Sequence, residues 1–318
     1  MTTLDQLKEY SKVVADTGDF NSIEEFKPLD ATTNPSLILK AANDPSYNFI
    51  IRDVIDKANV KDFTNEREVD HLINRLSVGF GNEILKIVPG RVSTEVPSKF
   101  SFDTQKTIDS ANEIISLYKE LEVDTSRILI KVAATWEGIC AAKQLEKNGI
   151  KTNLTLVFNL CQAVACAEAG ISLISPFVGR ISDWHKENSS YSSSSDVDPG
   201  VATVKEIFNY IKYFGYDTEI MATSFRSVGQ ITSLAGCDLI TISPDLLVML
   251  KKSSSELKKS LRIENTKKLN INRLSVDESN FRWNLSQDPM TVEKLAEGIR
   301  RFHEDYNKLA NLLLSYRK

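Results

Sequence analysis

Short apolar runs alternate along the chain with longer segments of helical periodicity. The runs are rich in β-branched and aliphatic residues, as strands buried on both faces require. Candidate strands are Ser11–Asp16, Asp30–Thr33, Ile87–Glu95, Ile128–Ala133, Asn153–Phe158, Leu173–Phe177, Glu219–Thr223 and Leu239–Ile242. Candidate helices between them include Thr104–Glu120, Thr135–Asn148, Leu160–Ala169, Gly200–Phe214 and Phe225–Leu234. Strands separated by helices pair in parallel, so the pattern predicts an α/β protein.

Eight such strands predict closure into a (β/α)8 TIM barrel. Barrels of this length are often one domain, so we predict a single barrel domain over residues 1–318. An open doubly wound sheet is the competing architecture. It is less favoured because no GxGxxG turn follows an early strand.

Three segments add to a bare barrel. Residues Asp44–Leu85 form a long, charged insertion with a helical pattern. Residues Thr291–Lys318 predict a long amphipathic C-terminal helix, whose apolar stripe we expect to pack across the barrel. That stripe contains Leu295, Ile299, Phe302, Tyr306, Leu309 and Leu313. The Ser-rich segment 187–199 predicts a polar surface loop.

Net charge, apolar run length and the cysteine and histidine patterns bear on which partners, compartment and metals to expect. The net charge of -4 gives no reason to expect a nucleic-acid or membrane partner, and no apolar run is long enough to cross a bilayer. The four cysteines form no CxxC pair and no leader sequence is recognisable, which predicts reduced thiols in a cytoplasmic protein. The three histidines lack ligand spacing, so no metal is expected.

A lysine interrupts the most apolar strand. If Ile128, Ile130 and Val132 face one way, Lys131 faces the other, with Leu129 and Ala133. Burial disfavours an ammonium, and a neutral lysine amine in a dry pocket is a nucleophile that forms Schiff bases with carbonyl substrates. The alternative is a lysine that reaches water or pairs with an acid.

Polar residues also occupy the carboxyl ends of the other candidate strands, where barrel active sites lie. An apolar core has no use for such residues, because each unsatisfied polar group costs roughly 1–3 kcal/mol. Arg180 and Arg226 follow two of these strands, where forked guanidinium groups can hold a phosphate; their alternative is a surface salt bridge. The strand-end set is Asp16, Asn34, Glu95, Lys131, Asn153, Thr155, Ser175, Phe177, Arg180, Ser224 and Arg226.

The chemistry of this set is consistent. Lys131 supplies an amine, and Asp16 and Glu95 supply proton donors and acceptors for forming an imine and cleaving a C–C bond. Asn34, Asn153, Ser175 and Thr155 offer neutral groups suited to sugar hydroxyls.

Several runs resemble the transaldolase family, in order and over nearly the whole chain. They are Ala31–Leu37, Gly90–Val96, Ile128–Gly138, Asn153–Leu156, Leu173–Ile181 and Asn284–Pro289. The resemblance implies a cofactor-free barrel enzyme of the non-oxidative pentose phosphate pathway. It would transfer a dihydroxyacetone unit from sedoheptulose 7-phosphate or fructose 6-phosphate to glyceraldehyde 3-phosphate or erythrose 4-phosphate. It also implies a homodimer.

The resemblance assigns roles residue by residue. Lys131 matches the Schiff-base lysine and Asp16 the acid/base of C–C cleavage, while Glu95 and Thr155 match the pair that positions a catalytic water. Matches to the dihydroxyacetone-binding groups are Asn34, Asn153 and Ser175; matches to the phosphate site are Arg180, Ser224 and Arg226.

Phe177 bears on the choice between transfer and release. Aldolase-type relatives tend to carry a tyrosine at this position, and phenylalanine favours a drier site and hence transfer. The alternatives are a class I aldolase that releases free dihydroxyacetone from fructose 6-phosphate, and a non-catalytic sugar-phosphate-binding barrel. The second would need the arginines but not Lys131, Asp16 and Glu95.

Overall fold

A computed structural model of the protein describes residues 1–58, 65–188 and 197–316. Eight parallel strands pair in chain order, and the last pairs with the first, so the sheet is a closed barrel. The strands are β1 (Lys12–Asp16), β2 (Asp30–Thr32), β3 (Val92–Glu95), β4 (Ile128–Ala133), β5 (Thr152–Val157), β6 (Leu173–Pro176), β7 (Glu219–Ala222) and β8 (Leu239–Ile242). The predicted (β/α)8 TIM barrel is confirmed.

Helices surround the barrel in the described part of the chain. Their bounds are α1 (Thr3–Tyr10), α2 (Phe20–Phe26), α3 (Pro35–Ala42), α4 (Asn48–Ala58), α5 (Glu66–Ile87), α6 (Thr104–Glu120), α7 (Trp136–Lys147), α8 (Leu160–Glu168), α9 (Val178–Glu187), α10 (Pro199–Tyr213), α11 (Val228–Thr232), α12 (Pro244–Lys252), α13 (Ile263–Thr266), α14 (Glu278–Ser286) and α15 (Pro289–Ser315). None of these described helices is both long and apolar enough to span a membrane.

The two faces of β4 carry different residues, as side-chain alternation requires. Ile128, Ile130 and Val132 belong to the large apolar cluster between strands and helices. Leu129 instead lies inside the barrel with aliphatic residues of four other strands. Lys131, two residues on from Leu129, therefore points into the barrel interior.

Most predicted bounds are within one or two residues of those in the structure, but two predicted elements begin more than two residues too early. The third candidate strand begins at Val92 rather than Ile87, because the apolar residues before Pro89 complete α5. Gly90 makes the turn between them, where a Cβ atom would overlap the Asp30 carboxylate. The helix predicted over Phe225–Leu234 is shorter, since Ser227 caps it and it begins at Val228.

The predicted insertion and C-terminal helix form one layer beside the barrel. α4 and α5 pack on each other, and residues of α3 and α15 complete their apolar cluster. At its other end, α15 packs on β5 and α9. The predicted loop 187–199 falls mostly on residues 189–196, which lie outside the described residues.

An ion-pair network closes the amino-terminal end of the barrel. Arg91 pairs with Asp30 of β2 at 2.8 Å and with Glu219 of β7 at 2.8 Å. Lys12 of β1 pairs with the same Glu219 at 2.6 Å. The network lies at the end of the barrel opposite to the carboxyl ends of the strands, and it links strands on different sides of the sheet.

Candidate active site

A cavity opens at the carboxyl ends of the strands. It encloses, together with its mouth, about 430 Å³ of space free of protein atoms. Strands or their following loops supply most of its wall, and the C-terminal helix supplies one residue. The lining residues are Asp16, Thr32, Asn34, Lys131, Thr155, Ser175, Phe177, Arg180, Met221, Thr223, Ser224 and Phe302. Eight of the eleven residues predicted from the sequence thus share one cavity.

Lys131 is the most deeply placed cation of this cavity, with 5% of the residue exposed. Its Nζ donates a hydrogen bond to the Thr33 carbonyl oxygen at 3.2 Å. The same nitrogen lies 3.3 Å from Glu95 Oε2, in an ion pair that lacks the alignment of a hydrogen bond. Lys131 therefore keeps donor positions directed at the cavity.

Glu95, Lys131 and Asn153 form one layer because their strands pair in register at these residues. Burial raises the pKa of the Glu95 carboxyl above its usual range, and the Lys131 ammonium opposes that shift. A carboxyl group in this position can hold a proton at a higher pH than an exposed one.

Asn153 lies beneath the cavity rather than in its wall. Its Oδ1 accepts a hydrogen bond from Ser175 Oγ at 2.6 Å, and its Nδ2 donates to Ser93 Oγ at 3.0 Å. Asn153 thus fixes Ser175, which lines the cavity. Ser93 belongs to the second matching run, Gly90–Val96, but was not singled out from the sequence.

Asp16 ends β1 and faces the cavity. Burial raises the pKa of the Asp16 carboxyl, while the charges of Lys131 and Arg180 act to lower it. Burial dominates, so Asp16 is a stronger base, when ionised, than an ordinary aspartate.

Two other polar residues face the cavity from the strand ends. The Thr155 hydroxyl is buried and has no hydrogen-bond partner among the described residues. Asn34 has a structural role as well, because its Oδ1 accepts from Leu37 N at 2.9 Å and caps α3. Its Nδ2 amino group is the part of the side chain left to bind a ligand.

Arg180, in the first turn of α9, brings a positive charge to the cavity. Its Cζ lies 4.8 Å from the Phe177 ring centroid and 5.8 Å from that of Phe302. Burial, with the neighbouring Arg301 charge, lowers the pKa of the guanidinium. Its Nη1 is buried without a hydrogen-bond partner among the described residues. A buried, unsatisfied guanidinium is suited to an anionic ligand.

Ser224 and Arg226 lie next to Arg180. Ser224 adopts a left-handed backbone conformation (φ 65°), and its carbonyl oxygen accepts a hydrogen bond from Gly179 N at 2.8 Å. A Cβ atom on Gly179 would overlap that oxygen, so glycine allows α9 to begin here. Arg226 is partly exposed and lies outside the cavity lining, because Asp183 holds its Nε and Nη2 at 2.9 Å.

Phe302 is one of four cavity residues that the sequence analysis did not assign to the site. It was predicted only as part of the apolar stripe of the C-terminal helix. Thr32, Met221 and Thr223 also line the cavity without having been predicted to do so. Thr32 and Thr223 could have been identified because they lie at the carboxyl ends of predicted strands. The position of Phe302 depends instead on how the C-terminal helix packs.

The arrangement combines a buried amine, two carboxyl groups with raised pKa values, neutral hydrogen-bonding groups and a guanidinium. Such a set can form an imine, move protons beside it and hold an anionic substrate. Within the residues described, no three His, Cys, Asp or Glu side chains are grouped so that they could hold a metal ion.

Comparison with known proteins identifies the family. A family model described as Transaldolase/Fructose-6-phosphate aldolase matches residues 13–313. The chain belongs to this transaldolase family. Curated transaldolases from Shewanella sp. (strain W3-18-1) and Shewanella putrefaciens (strain CN-32 / ATCC BAA-453) are each 51% identical to it over 311 residues. The matches cover 98% of this chain and 97% of each relative.

The family assignment agrees with the resemblance found in the sequence motifs. At this identity and coverage, the chain is a transferase of the transaldolase family. The matched region includes all eleven predicted site residues, from Asp16 to Arg226.

Proposed function

We propose that the protein transfers a dihydroxyacetone unit from a ketose phosphate to an aldose phosphate through a Schiff base on Lys131. The donors are sedoheptulose 7-phosphate and fructose 6-phosphate, the acceptors are glyceraldehyde 3-phosphate and erythrose 4-phosphate, and the reaction belongs to the non-oxidative pentose phosphate pathway. The observation that carries the proposal is the buried Lys131 amine beside Glu95, in a cavity shared with Asp16 and Arg180.

The first steps form the imine. Arg180 binds the phosphate, assisted by Ser224 and by Arg226 once it leaves Asp183. The free amine of Lys131 attacks the C2 carbonyl of the ketose, and the resulting hydroxyl leaves as water. Glu95, whose pKa is raised by burial, supplies the proton for that departure, and Thr155 holds the water.

The next step cleaves the C3–C4 bond. The iminium is an electron sink beside that bond, and ionised Asp16 accepts the C4 hydroxyl proton as the bond breaks. The raised pKa of Asp16 supports this role as a base. An aldose phosphate leaves, and a three-carbon enamine stays on Lys131, where Asn34 and Ser175 hold its hydroxyl groups and Asn153 orients Ser175 through their hydrogen bond.

Transfer requires that the enamine attack an acceptor aldehyde before water protonates it. The site favours this outcome, because Phe177 presents a ring rather than a hydroxyl group to the cavity. The steps run without a cofactor. We also propose that the protein works in the cytoplasm as a homodimer.

The second candidate is a class I aldolase that releases free dihydroxyacetone from fructose 6-phosphate, because the matching family model covers both activities. Product measurement with and without erythrose 4-phosphate separates the two. A transferase needs the acceptor for sustained turnover, whereas an aldolase turns over at the same rate without it.

The central experiment is borohydride reduction in the presence of fructose 6-phosphate, followed by peptide mass mapping. We expect a reduced three-carbon adduct on Lys131. Lys131→Ala should abolish both the adduct and transfer. The matched control is Lys212→Met, since Lys212 is also largely buried but pairs with Asp238 at 2.7 Å outside the cavity. An adduct absent from the parent, or mapped to another lysine, would overturn the proposal.

A further inference from the structure

We propose that Phe302 of α15 is a specificity-determining residue that keeps water from the enamine and so commits it to transfer. This inference rests on the proposed function, because it concerns the fate of the intermediate on Lys131. Phe302 lies far from the other cavity residues in sequence, and it comes from the C-terminal helix rather than from a strand end.

The position of Phe302 carries the argument. The residue is 3% exposed, and its ring lines the cavity. Lys131 Nζ lies 5.9 Å from the ring centroid, and Arg180 Cζ lies 5.8 Å from it. The ring therefore lies next to both the reacting nitrogen and the guanidinium, and we expect water to enter this space if the ring is made smaller.

The packing of α15 fixes the ring there. Gly298 precedes Phe302 by four residues, so both lie on the same face of the helix. A Cβ atom on Gly298 would come within 2.6 Å of Leu156 Cδ2 and 3.2 Å of Arg180 Nη1. Glycine thus lets the helix approach the irregular part of β5, where the pairing register shifts between Leu154 and Val157.

Phe302 and Phe177 form a continuous apolar wall. Both belong to the same buried cluster, and both rings flank Arg180. Phe177 follows β6 whereas Phe302 belongs to α15, so the two rings line the cavity from different elements. We therefore expect exclusion of water from the cavity to depend on both rings.

The competing reaction is release of the three-carbon unit. Water gives a proton to the nucleophilic enamine carbon, which restores an iminium, and the hydroxide left behind takes the proton that Asp16 accepted during cleavage. A second water then adds to the iminium carbon, and the Lys131 amine leaves. That second water replaces the one lost when the imine formed. The net change is therefore cleavage of the ketose phosphate to an aldose phosphate and free dihydroxyacetone, with no co-reactant consumed.

The test measures how turnovers divide between the two products. Parent, Phe302→Leu and Phe302→Tyr are supplied with fructose 6-phosphate and erythrose 4-phosphate, and free dihydroxyacetone is measured against the transfer product. Leucine opens space and tyrosine adds a hydroxyl group. In both variants we expect the ratio of release to transfer to rise by about tenfold, as loss of water exclusion predicts.

The matched control is Leu313→Ala. Leu313 is buried on the same helix but packs against the α4 and α5 cluster, away from the cavity. The Leu313→Ala substitution loosens the helix without changing a cavity residue. The ratio of release to transfer in this variant should therefore equal that of the parent. A rise in this control as large as in the Phe302 variants would overturn the proposal, because loosening of α15 would then be the cause.

The remaining outcomes are also decisive. If Phe302→Leu does not fold, Phe302→Tyr decides alone, since it keeps the ring. An unchanged product ratio in the folded variants, with a normal Lys131 adduct, overturns the role of Phe302 and leaves the proposed function in place. A parent that forms no adduct overturns the proposed function itself.

Discussion

At the scale of single residues, the site combines groups whose burial is unfavourable for stability and useful for chemistry. Asp16 and Glu95 both have pKa values raised by burial. Thr155 Oγ1 and Arg180 Nη1 are buried without hydrogen-bond partners among the described residues. Each of these groups is expected to reduce the free energy of unfolding until a ligand satisfies it.

Asp16→Asn should therefore stabilise the protein and impair catalysis. A raised pKa means that the native state binds the proton more tightly than the unfolded state does. Stability is then highest below the unfolded pKa and falls as pH rises through the folded pKa. Asparagine does not ionise, so the variant does not lose stability in this way. The increase in its free energy of unfolding over the parent, measured by urea unfolding, should therefore be larger at pH 8 than at pH 5. Transfer should fall about 10²–10⁴-fold, as for loss of an acid/base group.

The control for Asp16→Asn is Asp53→Asn on α4. Asp53 is exposed and, among the described residues, pairs with Lys57 on the same helix, so both stability and turnover should stay near those of the parent. An Asp16→Asn protein that is less stable than the parent at pH 8 would contradict the assigned direction of the Asp16 pKa.

Alternation along a strand explains which residues could be predicted from the sequence. It places Lys131 inside the barrel once Ile128, Ile130 and Val132 are recognised as the helix-facing side. The position of Phe302 could not be predicted this way, because it depends on how Gly298 brings α15 onto β5. Nor could the contact between Arg226 and Asp183, two residues 43 positions apart.

At the scale of elements, the region proposed to bind phosphate depends on how closely α9 approaches the turn after β7. Val178 N and Gly179 N donate to the carbonyl oxygens of Thr223 and Ser224, at 2.9 Å and 2.8 Å. Ser224 is held in its left-handed conformation beside them. The sequence predicted the strands and the two arginines, but no pattern in it indicated this backbone contact.

Gly179→Ala should separate the two elements. The new methyl group would overlap the Ser224 carbonyl oxygen, which is backbone and cannot rotate away. We expect a loss of about 1–3 kcal/mol in the free energy of unfolding, as for other overpacked sites. Because Arg180 follows immediately, KM for fructose 6-phosphate should rise more than kcat falls.

Gly229→Ala is the matched control for this substitution. Gly229 lies in α11, where, among the described residues, a Cβ atom would meet just Ser227 Oγ, at an ordinary 3.7 Å. Alanine is the better helix former, so stability should be unchanged or up to about 1 kcal/mol higher. Equal effects of the two substitutions on KM would refute the role assigned to Gly179.

At the scale of the whole molecule, the two ends of the barrel have separate tasks. The carboxyl end holds the cavity, and the amino end holds the network of Lys12, Asp30, Arg91 and Glu219. Asp30 is 4% exposed and accepts hydrogen bonds from both Arg91 N and Arg91 Nε. This network therefore contributes to stability and lies away from the chemistry.

Arg91→Met should lower stability while leaving the activity of the folded protein unchanged. It leaves the Asp30 carboxylate buried without its guanidinium partner, which costs about 2–3 kcal/mol; a quarter of the Arg91 side chain is accessible, so the loss is below that of a fully buried pair. Urea unfolding and kcat/KM measured together check this. A fall in kcat/KM under conditions where the variant is fully folded would contradict the conclusion that the two ends of the barrel have separate tasks.

The wall contributed by α15 gives the catalytic assay a second use. The cavity is lined by Phe302 of α15 as well as by residues at the strand ends, so the ratio of transfer to release reports on whether the C-terminal helix has packed, and not on barrel closure alone. In a refolding time course, recovered helical circular dichroism would mark the assembled scaffold. A rise in acceptor-dependent product relative to free dihydroxyacetone would then show that α15 has packed on the barrel. The product ratio would thus follow a step of folding that the circular dichroism signal does not resolve.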